Sequence, residues 1–338
     1  MHPRFAASLV LFTGGLFAQS KPTAPSTWMD LAIGTDVRYA IDDDNRVADA
    51  GGGSGAGGSG KHAVRIVALG RDANGALRVA VFDEQLPKES FETTIVRAEI
   101  ASVDPATGAL LRDPAAAAGA LAAMWSPQVV FPFPALSMAE WKAKKPVART
   151  GWTPVAGEAC ELPLKVSFTT RKEGKKQVPV LLLELDSKTP VPVQLVGIAG
   201  MVALAQGRMP KLGAGGVEPV VAEVRELRRE ATIDPAKGRV TAILTTGTVT
   251  AADGKLTIAC RSTQQETERR VVAAKELPLV VEVVEELCAI VASQEAKDVR
   301  RERAAALTAK AKQAGFASTH ERLLDSLTRD GLPPGVGR

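Results

Sequence analysis

Between Ala231 and Gln265 the chain reads as long runs of alternating polar and apolar residues joined by short turns. Asp234-Pro235-Ala236-Lys237-Gly238 is a turn with a mechanism: Asp accepts from the backbone ahead, Pro presets φ, and Gly takes the left-handed conformation. Arg239–Thr250, rich in Val, Ile and Thr, predicts a strand, and Ala251-Ala252-Asp253-Gly254 reverses it. In the next run Leu256, Ile258 and Cys260 point one way, while Lys255, Thr257, Ala259 and Arg261 point the other. That is the alternation of an antiparallel sheet packed on one side. Beyond Cys260 the strand is polar on both faces through Ser262, Thr263, Gln264, Gln265 and Glu266. Either it projects from the core or its inward face lines something hydrated.

The same pattern recurs upstream. Asp36–Ile41 predicts a strand ending in the acidic cluster Asp42-Asp43-Asp44-Asn45. His62–Leu69 and Ala76–Phe82 predict a hairpin across Asp72-Ala73-Asn74-Gly75, and Leu162–Arg171 and Gln177–Leu185 a second around Glu173-Gly174. Phe91–Val103 predicts a long strand reversed at Asp104-Pro105-Ala106-Thr107-Gly108, the same turn pattern as at Asp234. Pro219–Glu230 is ambiguous: Val220, Val224 and Leu227 keep helical spacing, and a strand requires the face to switch between Val224 and Leu227, as at a bulge. The hairpin that follows favours the strand.

Helical patterns are confined to two places. Pro114–Trp125 and Ser137–Lys144 predict short helices, and from Leu279 the stripe Val284, Leu287, Val291 predicts one running to Gln313, with Gly315 past its end. Ser318-Thr319-His320-Glu321 reads as a capping box opening a last helix with Leu323, Leu324 and Leu327 on its face. The predicted fold class is mainly β, with antiparallel sheets in two related half-barrel-like units and a C-terminal α-helical segment, α+β overall. The predicted division is a leader at 1–20, a first β unit at 21–150, a second at 151–278, and C-terminal helices and tail at 279–338.

The leader sets the expected compartment. His2 and Arg4 precede the apolar run Phe5–Phe17, and Ala18 and Ser20 offer small-residue cleavage positions, as in a secretory signal peptide. No Cys follows for lipid attachment, and no other apolar run approaches the roughly 20 residues of a membrane span. The expectation is an exported, soluble chain, periplasmic or extracellular, and not a lipoprotein. A formal net charge of +4 with scattered basic residues, and aromatics at 4%, argue against a nucleic-acid partner. Cys160, Cys260 and Cys288 permit one disulfide in an oxidising compartment, but Cys260 and Cys288 also fall on apolar faces as small hydrophobes.

Catalytic signatures do not hold. Gly51–Gly60 contains G-x-G-x-x-G and, reaching Lys61, G-x-x-x-x-G-K, but a strand follows instead of a helix, and His62 stands where a P-loop needs a hydroxyl. Asp42–Asp44 lacks the alternate acids, central Gly and terminal Glu of a calcium loop. His62 and His320 have no partners at metal-ligand spacing. The expectation is a chain without cofactor or catalytic residues. Trp125, Trp141 and Trp152 cap a core or line a groove, core being favoured.

The long hairpins and Thr-rich strands of residues 219–270 resemble the half-barrel carriers of the bacterial envelope that handle lipoproteins and lipids. The resemblance implies a curved sheet whose inner face holds an apolar or amphiphilic ligand. The apolar run from Leu195 to Ala205, followed by a Gly-rich stretch, is the candidate cavity wall or flap: Leu195, Val196, Ile198, Met201, Val202 and Leu204. The alternative is a structural or protein-interaction component of the envelope, using helix surface 294–313 and no cavity.

Overall fold

The computed structural model describes residues 31–49, 58–85, 96–103, 110–111, 140, 143, 145–155, 158–195, 212–213, 216–217, 220–234, 239–251 and 253–328. The predicted helix Pro114–Trp125, the leader, most of the Gly/Ser loop, and Trp125 and Trp141 lie outside them. Glu140 and Ala143 are helical, within the predicted Ser137–Lys144.

The strands are β1 (Thr35–Asp49), β2 (Gly58–Arg71), β3 (Leu77–Gln85), β4 (Val96–Val103), β5 (Leu110–Leu111), β6 (Val147–Val155) and β7 (Glu158–Glu173). They continue with β8 (Lys176–Leu185), β9 (Val191–Leu195), β10 (Leu212–Gly213), β11 (Gly216–Val217), β12 (Val220–Asp234), β13 (Arg239–Ala251) and β14 (Leu256–Val271). Among the described residues, 12 strands form one antiparallel sheet in the order β5-β4-β3-β2-β1-β14-β13-β12-β8-β7-β6, with β9 also on β12. The mainly β, antiparallel class with a C-terminal helical segment is therefore the one observed. The order runs the same way twice, β5 to β1 and β13 to β6, and β14 joins the two runs by pairing with both β1 and β13.

Local chemistry explains the hairpins. Asp72 accepts backbone N–H bonds from Asn74 at 2.8 Å and Ala76 at 2.9 Å, closing the β2–β3 turn. Gly254 takes φ +70°, and Asp253 accepts from the Lys255 N–H at 3.1 Å in the β13–β14 turn. From Val220 onward the ambiguous run at 219–230 is strand β12, with a register shift between Val224 and Glu226 that switches its face. Gly247 lies opposite that bulge, where a Cβ would come 3.0 Å from the Glu226 carbonyl oxygen. The acidic cluster differs from expectation. Asp42–Asn45 does not end a strand, because β1 continues to Asp49 between β2 and β14.

The C-terminal segment differs as well. Instead of one helix to Gln313 there are α1 (Leu277–Ala292), α2 (Lys297–Ala306) and α3 (Thr308–Gln313), followed by α4 (Ala317–Thr328). Ser293 is extended at ψ 139°, and its hydroxyl binds the Glu295 backbone N–H at 3.1 Å. Breaking the helix there turns α2 back, so that Ala304, Leu307 and Ala311 join the Val283, Leu287 and Phe316 core. Ser318 is not an N-cap but lies inside α4, where its hydroxyl accepts from Arg38 at 2.7 Å.

The helices pack on one face of the β2–β4 region, against Val67, Leu69, Ala80, Phe82 and Ala98. A buried ionic clasp fixes them there. Arg65, 4% exposed, donates to Asp36 through Nε at 2.8 Å and Nη2 at 2.6 Å. It also reaches the Thr319 hydroxyl at 3.2 Å and the Gly315 carbonyl at 3.0 Å, with its guanidinium 3.6 Å over the Phe316 ring. Arg270 adds a bond to Asp36 at 2.6 Å and one to the Ala314 carbonyl at 3.1 Å. Burial alone would raise the Asp36 pKa, but hydrogen bonds and charge from Arg65 and Arg270 outweigh it and hold the carboxyl below its usual 3.8.

Two outcomes test the clasp. Asp36→Asn strands a buried guanidinium and should cost about 3–5 kcal/mol in urea denaturation at neutral pH. Because the Asp36 pKa is lowered on folding, its contribution is full above the unfolded value and lost as pH falls through the folded one. The gap between wild type and variant should therefore be constant above about pH 4 and close below it. Gly315→Ala should cost about 1–3 kcal/mol by the same measurement. Gly315 has φ +77°, and a Cβ there would sit 2.5 Å from Arg270 Nη1.

Candidate binding face

Cross-strand pairing places a single row of side chains on the sheet face away from the helices: Val166, Leu183, Arg229, Thr245, Ser262 and Asp43. The next row on that face is Phe168, Leu181, Ala231, Ile243, Gln264, Ile41 and His62. Most of the face is apolar and buried, in one cluster that includes Leu162, Leu164, Val224 and Ile258 and another that includes Val37, Ile66 and Val81. Across it runs a polar belt from Arg229 on β12 to Asp83 on β3.

The belt is deeply placed. Arg229 is 1% exposed, Gln264 3%, Thr245 9% and Asp83 6%. Burial pushes the Arg229 pKa down to about 9, which leaves the guanidinium cationic at neutral pH. His62 lies between two carboxylates, with Nδ1 3.8 Å from Asp43 and Nε2 3.8 Å from Asp83. The carboxylates face opposite ring nitrogens, so these three groups cannot enclose one ion. Among the described residues no group of His, Cys, Asp and Glu could hold a metal. Beyond Gln264, Glu266 accepts from Arg239 at 2.7 Å and from Arg269 at 2.9 Å. Burial raises the Glu266 pKa, and these two guanidiniums more than offset that, holding it below the usual range.

Among the described residues, Gln264 Nε2 is buried and has no hydrogen-bond partner. Such a group costs about 1–3 kcal/mol, and an apolar side chain of similar size would not. The inward positions Leu256 and Ile258 earlier on β14 show that this face accepts aliphatic residues. The strand does not project beyond Cys260 but stays paired on both sides, so its inward polar residues lie within the wall.

The opposite face, on the β7–β14 half, carries a groove of about 940 Å³. It is walled by Lys165, Glu184, Arg228 and Thr246 and by the Asp186–Lys188 connection. Its charges are of both signs, which suits a polar occupant and not an acyl chain. The helix surface 294–313 is not a free basic face either. Arg303 pairs with Glu286 at 2.9 Å and Glu295 at 2.6 Å, Arg301 with Asp298 at 2.8 Å, and Lys310 with Glu282.

Of the candidate wall residues, Leu195 ends β9, paired with Val220, and is fully buried in the apolar cluster. Val196, Ile198, Met201, Val202 and Leu204 lie outside the described residues. The belt itself was half legible. Ser262 and Gln264 fall in the run beyond Cys260 whose polar residues either project or face inward, whereas Arg229 was hidden by the helix-or-strand ambiguity of its run. His62 and Asp43 sit far apart in sequence from Arg229, and only register joins them.

His320 is structural: its Nε2–H donates to the Ala304 carbonyl at 2.7 Å, tying α4 to α2. Cys160 lies in the large apolar cluster, and Cys260 packs against it, as its apolar position implied. Cys288 is buried among the helices, and burial, with Glu99 and Glu285 nearby, pushes its thiol up to about 12. Peptide mapping after treatment with a thiol reagent at pH 8 should therefore find Cys288 unmodified in the native chain and labelled once it is unfolded.

No family model matches the chain, and no curated protein matches it in sequence. Among solved structures it is similar to lipovitellin, in a study of lipid–protein interactions. That match has 10% identity and a TM-score of 0.40, and covers 87% of this chain and 36% of lipovitellin. It is also similar to Ail, the attachment invasion locus protein of Yersinia pestis, at 7% identity and TM-score 0.19, covering 71% of this chain and all of Ail. A mutant porin of Rh. blastica matches at 8% identity and TM-score 0.22, covering 69% of this chain and all of the porin. None of these likenesses is close enough to bear on function. No helix among the described residues is long and apolar enough to cross a membrane.

Proposed function

We propose that this chain is a non-catalytic binding module of the cell envelope that holds an apolar or amphiphilic molecule against the belt-bearing face of its sheet. The observation that carries the reading is the belt itself. Arg229 and Thr245 are cross-strand partners, Gln264 is diagonal to Thr245, and His62 lies two strands beyond Gln264 across Ile41, on a face otherwise rich in Leu, Val and Ile. An apolar wall crossed by a few fixed polar groups is the general form of a site for a molecule with one polar end. The leader-like N-terminus supports action outside the cytoplasm.

A second reading, a docking component for another envelope protein, is favoured by the mixed-charge groove on the other face, which suits an extended polar segment. Native mass spectrometry with solvent extraction separates the two. The full chain, expressed with its own leader in a bacterial host and recovered as it matures, should carry a co-purifying mass of amphiphile size, lost on extraction and regained on adding the extract. A folded chain that is clean on isolation and takes up no added amphiphile would sink the binding reading and leave the docking one.

A further inference from the structure

We infer that the groove on the outer sheet face docks an extended peptide segment whose side chains carry both charges. Lys165 and Lys188 take its acid, and Asp186 and Glu226 its base. This deepens the docking reading and rests on it, and the belt plays no part. The groove is a formed cleft: its 940 Å³ falls within the range of roughly 300–1,000 Å³ typical of ligand clefts.

Register explains its shape. Lys165 on β7, Glu184 on β8, Arg228 on β12 and Thr246 on β13 are successive cross-strand partners and form one wall. Two residues along, Glu226, Thr248 and Ala259 are partners in the next row of the same face. β8 leaves β12 after Glu184 pairs with Arg228, and β9 takes up the pairing only at Val224. The Asp186–Lys188 connection follows that departure and closes this end of the groove. Over β13 and β14 the lining is Thr246, Gly247, Thr248 and Ala259, small enough for a peptide main chain to lie close to the sheet.

The charges fall into two sets. Arg228 is answered by Glu230 at 2.8 Å and Glu184 at 3.4 Å, and Arg225 by Glu223 at 3.6 Å. Lys165, Lys188, Asp186 and Glu226 are exposed, and their side chains make no ion pair or hydrogen bond among the described residues. Two cations and two acids in one cleft set a like charge against any ligand of a single sign, and they complement a ligand that carries both. Among the described residues no group of His, Cys, Asp and Glu could hold a metal ion, so the cation suited to Asp186 and Glu226 is an ammonium or guanidinium. No aromatic side chain lines the groove, so it lacks the stacking surface a nucleobase uses. A peptide with lysine or arginine near an acid fits what is there.

The test is fluorescence anisotropy with labelled octapeptides on the full chain recovered after export. The probes are alternating Glu-Lys, all-Glu, all-Lys and alternating Gly-Ser. The Glu-Lys peptide should bind about fivefold or more tighter than the other three, and lose that lead at about 1 M salt. Lys165→Glu and Glu226→Lys should each weaken it about fivefold, while both variants melt with wild type because the positions are exposed. Equal binding of all four peptides overturns the charge assignment and leaves docking standing. Equal binding of the Glu-Lys peptide by wild type and both variants removes it from the groove and overturns the inference. Self-association that the two reversals abolish gives the groove to a second copy and overturns the peptide assignment. Failure of every peptide to bind a chain that stays monomeric overturns both the inference and the docking reading.

Discussion

The pairing of β1 with β14 is the constraint on which the rest of the sheet depends. Thr35–Asp49 lies antiparallel to Leu256–Val271 from end to end, so the start of the described chain and the end of its last strand share one ladder. Without that ladder the runs β5 to β1 and β13 to β6 would be separate sheets, each with an exposed edge. The pairing also brings Asp36 opposite Arg270 at one end and Asp43 opposite Ser262 further along. The clasp and the belt therefore both arise from one register. A one-residue slip would exchange their faces.

The two polar assemblies face opposite sides of the sheet and differ in kind. In the clasp, Asp36 is met by two guanidiniums, and Arg65 in turn satisfies a hydroxyl and a carbonyl of the helical segment. Its partners come from the sheet, from the turn before α4 and from α4 itself, and docking completes them. The belt is not completed in this way. Its amide at Gln264 retains an unmet donor among the described residues on a face where aliphatic side chains would pack. The two assemblies thus differ in how completely their buried polar groups are met.

The surface outside these assemblies is electrostatically balanced. The cations of α2 and α3 are answered by acids on α1 and in the α1–α2 connection, and on the outer sheet face Arg171 and Arg228 both pair with Glu230. Exposed pairs of this sort contribute little stability, typically below about 1 kcal/mol each. Among the described residues, their effect is to set an acid beside each of these cations.

How much of this was legible depended on the range of the interaction. Turns and hairpins were written locally: Asp72 and Asp253 close their turns through bonds to residues within four positions, and alternation from Leu256 onward gave the correct inward face. The fold class, the hairpins of β2–β3 and β7–β8 and the bulge in β12 follow from such short-range chemistry. The break after Ala292 was not legible, since Ser293–Ala296 holds neither Gly nor Pro. Packing of Ala304, Leu307 and Ala311 onto α1 and α4 decided it. Asp42–Asn45 looked like a strand end because strings of acids are usually solvated, and only β2 and β14 on either side made it interior to a strand. The sequence by itself determined which residues alternate, where the chain turns, and that β14 becomes polar on both faces beyond Cys260. Tertiary structure alone decided what those groups meet, because strand register joins Arg229, Gln264, Asp43 and His62 across segments that carry no mutual signal in the chain.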